Sequence, residues 1–180
     1  MMTTPTRTFV EGRYVPAGPW AARKIEEQVQ HLKGRFRPGE AREERTLFDA
    51  RGDVADQAAA RALLTAAIGP KVVFHRLVLS PGARAGVVRL IDLRTWTRLL
   101  LMDLGHELGQ QLVWVAAVHR NTDDPHVHVL LAGVAERTQW PSKGTVRGVE
   151  LRPPHYALLR ERGDLRAAEI RQLNGDGTAA

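Results

Sequence analysis

Three of the seven histidines in this chain of 180 residues, His119, His126 and His128, fall within ten positions, in "VHRNTDDPHVHVLL". Along a β-strand successive side chains point to opposite faces, so His126 and His128 share a face and Val127 takes the other. A tight turn over "RNTDDP" brings His119, at the end of the preceding strand, beside them. Three imidazoles converging on one point form a metal site that carries no ligand charge and keeps coordination positions open for water or a phosphate oxygen. A His-X-His pair alone also occurs on ordinary exposed strands, and it is the third histidine across the hairpin that points to a metal. Nitrogen donors suit Zn, Mn, Co or Ni and do not favour Mg. The sequence does not fix the ion.

The elements around this cluster must position it. "LVWVAAVH" and "HVHVLLAG" read as the two strands of an antiparallel hairpin. "KVVFHRLVLSPG" reads as a strand closed by a Pro-Gly turn. "RTFVEGRYV" suggests a short hairpin or a loose edge strand, and "TVRGVEL" a further strand. Helices are expected over "WAARKIEEQVQHLK", with Trp20, Ile25, Val29 and Leu32 on its apolar stripe, and over "VADQAAARALLTAAI", capped by Asp53. Two more are expected over "LRTWTRLLLMDLGHELGQQ" and from Pro153-Pro154 through "HYALLRERGDLRAAEIRQL", the last weakened by Gly163. This is an α+β pattern, an antiparallel sheet with helices packed on one face. The site is expected on the face opposite the helix over 93–108.

Length allows a single domain over 1–180. It comprises an N-terminal hairpin, helix and basic loop (1–52), a core (53–171) and a flexible tail (172–180). The apolar fraction of 43% is that of a globular protein. Cysteine is absent, which excludes disulfides and thiolate metal sites and fits a reducing compartment. No apolar run reaches the ~20 residues that span a bilayer, and the N-terminus lacks the apolar core of a secretory signal. The expected setting is soluble and cytoplasmic, with no membrane partner. A net charge of +6 and a pI of about 10.4 favour a polyanionic partner.

The stretch from His119 to Leu131 closely resembles the histidine motif of plasmid-mobilisation relaxases, members of the HUH single-strand DNA endonucleases. The matching residues are His119, Asn121, Pro125, His126 and His128. Similarity extends upstream through "FHRLVLSPG" and downstream through "VELRPPHYALLRERGDLRAAEI", over roughly residues 28–171. The resemblance implies a ferredoxin-like sheet and a divalent ion, among Mn, Mg and Zn, held by the three histidines against a scissile phosphate of single-stranded or hairpin DNA. It further implies attack by a tyrosine, leaving a 5′-phosphotyrosyl link and a 3′-hydroxyl, with other relaxosome or replication proteins as partners. Asn121 would orient His119 from behind.

Relaxases usually carry that tyrosine upstream, in a motif resembling Leu-X-Tyr-X-X-Arg-X-Gly. In "HLKGRFRPG", Leu32, Arg37 and Gly39 fall on the pattern, but Gly34 stands where the tyrosine should. Three nucleophiles stay open. Tyr156 lies after the histidine strands, where replication initiators of the same superfamily carry theirs, and Tyr14 lies upstream. His31 would act as in mobilisation enzymes that form a phosphoramidate. DNA contacts are expected from Arg35, Arg37, Arg152 and Arg160, and from Trp140, stacked on an unpaired base beside Lys143. Two other readings remain: a non-catalytic DNA-binding protein of this fold, and a three-histidine hydrolase that activates water.

Overall fold

The computed structural model describes residues 7–34, 45–82, 85, 87, 89–120, 124–134 and 148–176. In chain order the elements are β1 (Phe9–Pro16), α1 (Ala21–Gly34), α2 (Gln57–Thr65), β2 (Val72–Ser80), α3 (Leu90–Leu108), β3 (Trp114–His119), β4 (His126–Ala132) and α4 (Pro153–Asp176). The strands form one antiparallel sheet in the order β1-β2-β4-β3. The protein is thus α+β, as the periodicities indicate.

Helices cover both faces, not one. On one face α3 and α4 bring Leu93, Trp96, Leu100, Leu159 and Ile170 onto Leu77, Leu79, Val127, Val129 and Leu131. On the other, α1 and α2 bring Ile25, Val29, Leu32 and Leu64 onto Phe74, Val115, Ala117, Leu130 and Ala132. Odd-numbered residues of β4 therefore enter the first core and even-numbered ones the second. Such two-sided burial is what the near-continuous apolar runs of β2, β3 and β4 encode.

Several local expectations shift. Of the two forms expected for the first segment, the edge strand is found: β1 is a single strand at the edge of the sheet. Asp56, not Asp53, caps α2, accepting a bond from Ala59 N at 2.8 Å; Asp53 instead pairs with Arg94 at 2.8 Å. Trp20 is 66% exposed and off the apolar stripe of α1. The segment expected as a continuous loop before α2 is anchored at its end. Phe48 is fully buried and exchanges both backbone hydrogen bonds with Ala116, at 2.8 and 2.9 Å, which covers part of the outer edge of β3. Among the described residues "TVRGVEL" supplies only an isolated bridge, Val134 to Gly148.

α4 runs unbroken through Gly163 and continues over 172–176, so that part of the expected tail is helical. The glycine weakens nothing visible, because it is where the chain needs no side chain. A Cβ at Gly163 would stand 2.5 Å from Thr8 Cγ2, and Trp96 Nε1 donates to the Gly163 carbonyl at 2.9 Å. From the same helix Asp164 accepts from Thr8 N at 2.6 Å and Arg160 donates to the Val10 carbonyl at 3.2 Å. The helix thereby satisfies backbone groups at the start of β1, one way of managing an edge strand.

Tyr156 closes this packing from α4. Its ring lies so near β1 that a Cβ at Gly12 would be 2.5 Å from Cε1 and 2.6 Å from the hydroxyl. Gly12→Ala should cost about 1–3 kcal/mol in chemical denaturation, the usual range for an added carbon with nowhere to go. The same substitution in a Tyr156→Ala background should cost much less. Equal costs in both backgrounds would show that the ring is not what fills the space.

Candidate metal centre

Cross-strand register puts the three histidines together. His119 of β3 faces His126 of β4, and His128 faces Ala117 one rung further in. His126 and His128 continue the even-numbered series of β4, whose next members Leu130 and Ala132 are core residues under α1 and α2. The histidines thus lie on the α1 face, at the end of the sheet where the last turn of α1 ends the apolar cover. Their rings are close: 4.1 Å between centroids for His119 and His128, which stack, 5.0 Å for His126 and His128, and 5.4 Å for His119 and His126. One ligand atom from each falls within 4.8 Å of the others.

The hydrogen bonding prepares these rings as ligands. His126 Nδ1 donates to the Asp124 carbonyl at 3.0 Å, which leaves the lone pair on Nε2. His119 is hydrogen-bonded to the Leu32 backbone, while its Nε2 is buried without a hydrogen-bond partner. An orphaned polar atom of this kind costs about 1–3 kcal/mol, and a cation among the three imidazoles would satisfy it. The donor set therefore fits a divalent ion, and the residues to hold it are His119, His126 and His128.

Burial, then the neighbouring positive groups, pushes both His119 and His128 down to a pKa of about 3. For His119 those groups are His128, Arg45 and His126; for His128 they are His126, His31, Arg76 and Arg45. Both rings are neutral at physiological pH, the state a metal ligand needs. Arg45 is only 7% exposed. Arg76 points from β2 to the same face, its Nη1 donating to Gln28 Oε1 of α1 at 3.4 Å. Neutral ligands beside two guanidiniums make a site that leaves the charge of a bound ion uncompensated, which suits an anion.

Of the three nucleophile candidates, His31 is the one beside the triad. It is exposed in the last turn of α1, its ring centroid 6.1 Å from that of His128. Tyr156 and Tyr14 are on the other side of the sheet. Tyr156 packs against the α3/α4 core, and burial raises its pKa. Tyr14 shares the face of Val10 and Gly12 and lies 6.5 Å from the ring of His75. His75 is itself a buried structural residue, its Nε2 2.7 Å from the Val149 carbonyl.

Arg152 and Arg160 belong to the approach to α4 and to α4 itself, which packs on the other face of the sheet. Arg152 is near Glu150, at 3.7 Å, and Arg160 is spent on the Val10 carbonyl. Asn121, Arg35, Arg37, Trp140 and Lys143 lie outside the described residues. Of the two cations at the centre, Arg45 belongs to the sequence run of Arg35, Arg37, Arg42 and Arg45, whose interspersed glutamates fit a solvated loop as well as phosphate contacts. Arg76, a lone cation in an apolar strand, escapes a reading from motifs. The signal for Arg76 was its parity: it shares the even-numbered series of β2 that pairs with the histidine face of β4.

No family model and no curated protein matches this chain.

Two outcomes test the centre. Titration with Co²⁺ or Zn²⁺ should reveal one site, and His119→Ala or His128→Ala should each lose more than the ~10–100-fold in affinity typical of outer partners of a metal ligand. The metal-free protein should also be acid-sensitive. The unfolded chain takes up protons near the ordinary value of 6.5, whereas the folded rings resist protonation to about 3. Stability is therefore full above that ordinary value and falls as pH drops through the window, by up to ~1.4 kcal/mol per pH unit for each ring. Urea denaturation across the window should show this slope, and a His119→Gln/His128→Gln variant should lose most of it.

Proposed function

We propose that this protein is an HUH-type, metal-dependent transesterase that nicks and rejoins single-stranded DNA of a plasmid or mobile element, with His31 as the attacking group. The observation that carries this reading is the convergence, at one end of one sheet face, of three metal-ready imidazoles, a fourth exposed imidazole and two guanidiniums. The resemblance around His119, Pro125, His126 and His128 supports the same chemistry, as does the antiparallel sheet that presents them from two adjacent strands. The net positive charge fits the polyanion.

A divalent ion held by the three histidines would supply Lewis acidity toward a non-bridging phosphate oxygen. The chain's own groups do the rest. Arg45 and Arg76 hold the phosphodiester by charge in a site walled by the end of α1 and the sheet. A ring nitrogen of His31 forms an N–P bond as the bond from phosphorus to the 3′-oxygen breaks. The proton on the other ring nitrogen is, in net terms, the one the departing 3′-oxygen takes up. The resulting phosphoramidate keeps the 5′ end activated, so that attack by a 3′-hydroxyl restores the strand. Other relaxosome or replication proteins would deliver the strand.

A second reading, hydrolysis by activated water at the same three histidines, is favoured by the position of both tyrosines on the far face. One assay separates the readings. Protein, Mn²⁺ or Mg²⁺ and labelled single-stranded DNA from the transfer origin are incubated, and denatured products are examined. The expected product is an adduct that is acid-labile and alkali-stable, as a phosphoramidate is. It should vanish in His31→Ala and persist in Tyr156→Phe and Tyr14→Phe. An acid-stable adduct lost in Tyr156→Phe would move the nucleophile to the tyrosine. Cleavage without adduct would favour the hydrolase. Binding without cleavage under every metal would leave a non-catalytic DNA-binding protein.

A further inference from the structure

Among the described residues, the helices on the histidine face leave part of β1 exposed. α1 and α2 bury Phe74, Leu130, Ala132, Val115 and Ala117, but Phe9, Glu11 and Arg13 of β1 are exposed and Val78 of β2 is half-buried, while Ser80 at the end of β2 is buried and donates to the Pro125 carbonyl at 3.1 Å. On this face the odd-numbered residues of β1 stand beside the even-numbered residues of β2, in the rungs Phe9–Ser80, Glu11–Val78 and Arg13–Arg76. The rungs continue to β4, where Val78 faces His128 and Arg76 faces Leu130. Phe9 is therefore one rung further toward the histidine end, level with the His119–His126 pair and two strand spacings, ~10 Å, from His126.

Its ring is 53% exposed. Nothing in its own core requires a phenylalanine there, since Val10 and not Phe9 enters the α3/α4 core. The neighbouring charges are Arg76, tethered by Gln28, and Arg13, which lies 3.5 Å from Glu11. The Glu11–Arg13 pair is close to neutral, so Arg76 dominates the inner end of the strip.

We propose that this exposed strip is a subsite for unpaired DNA, in which a base flanking the reacting phosphate stacks on Phe9 while Arg76 meets the backbone. The inference rests on the reading of the substrate as single-stranded DNA. An exposed aromatic ring on a flat sheet face accepts any base, because every base has a π-face, and it excludes a duplex, whose bases are already stacked. Continuity with the histidines along shared rungs gives the strip its direction: a strand lying across β1 and β2 reaches the triad without crossing the helical cover.

The test is binding of a fluorescein-labelled oligothymidylate to the full chain in EDTA, which keeps cleavage out of the measurement. Stacking on one aromatic ring is worth about 1–3 kcal/mol by truncation, so Phe9→Ala should weaken binding ~5–150-fold. Phe9→Leu, which keeps apolar area without a π-face, should lose most of the same affinity, and Phe9→Tyr should keep it. A scan of single abasic positions should find one that weakens the parent protein and leaves Phe9→Ala unchanged. Thermal midpoints should be the same throughout, because the ring is exposed. Unchanged oligothymidylate binding in Phe9→Ala and Phe9→Leu, or an equal loss for duplex DNA, would overturn the subsite. Phe9-dependent binding by a protein that never cleaves would uphold the subsite and remove the nuclease reading. Cleavage that is indifferent to Phe9 would do the reverse.

Discussion

β4 is buried on both faces, and the strict alternation of its side chains divides the protein into two cores that share one strand. Val127, Val129 and Leu131 serve the core under α3 and α4, while Leu130 and Ala132 serve the core under α1 and α2. A slip of one residue would exchange the two sets and put His126 and His128 beneath α3 and α4, so the register is held by every apolar contact on either side. The histidines are simply the members of the even-numbered series that extend past the cover. Their convergence with His119 follows from the same register.

The electrostatics of that end are unusual for a metal centre. Backbone carbonyls of Asp124 and Leu32 orient His126 and His119, and the charged groups that act most on His119 and His128 after burial are positive. With imidazole ligands nothing neutralises a divalent ion within its own coordination shell, and Arg45 and Arg76 add to the field. A positive well of this kind, partly lined by apolar side chains, favours an oxyanion over a neutral ligand. A carboxylate-rich site would instead hold its ion more tightly and repel a phosphate.

The opposite face has a different economy. There α4 lies along β1, with Tyr156 against Gly12, Gly163 against Thr8, and Asp164 and Arg160 on backbone groups of the strand. Trp96 ties the same stretch of α4 to α3, and Arg166 bridges α4 and α3 through both oxygens of Asp103 at 2.7 and 2.9 Å. These contacts fix the edge of the sheet. They also give Tyr156 a packing role and Arg160 a hydrogen-bonding role on that face.

Sequence by itself determined what depends on short-range periodicity. The two-residue spacing of His126 and His128, the helical stripes of α1, α2 and α3, and the antiparallel hairpin bearing the triad were all readable, because strand alternation and helical repeat are properties of a few neighbouring residues. The tertiary structure alone decided which distant groups share a face with them. Whether Tyr14 or Phe9 faces the histidines turns on the parity of β1 against β2, and one position reverses the answer. The place of Tyr156 depends on which side of the sheet α4 docks, and that of Arg45 on how far the chain before α2 is drawn inward with Phe48. These outcomes are set by burial summed over both cores, a quantity no local pattern carries.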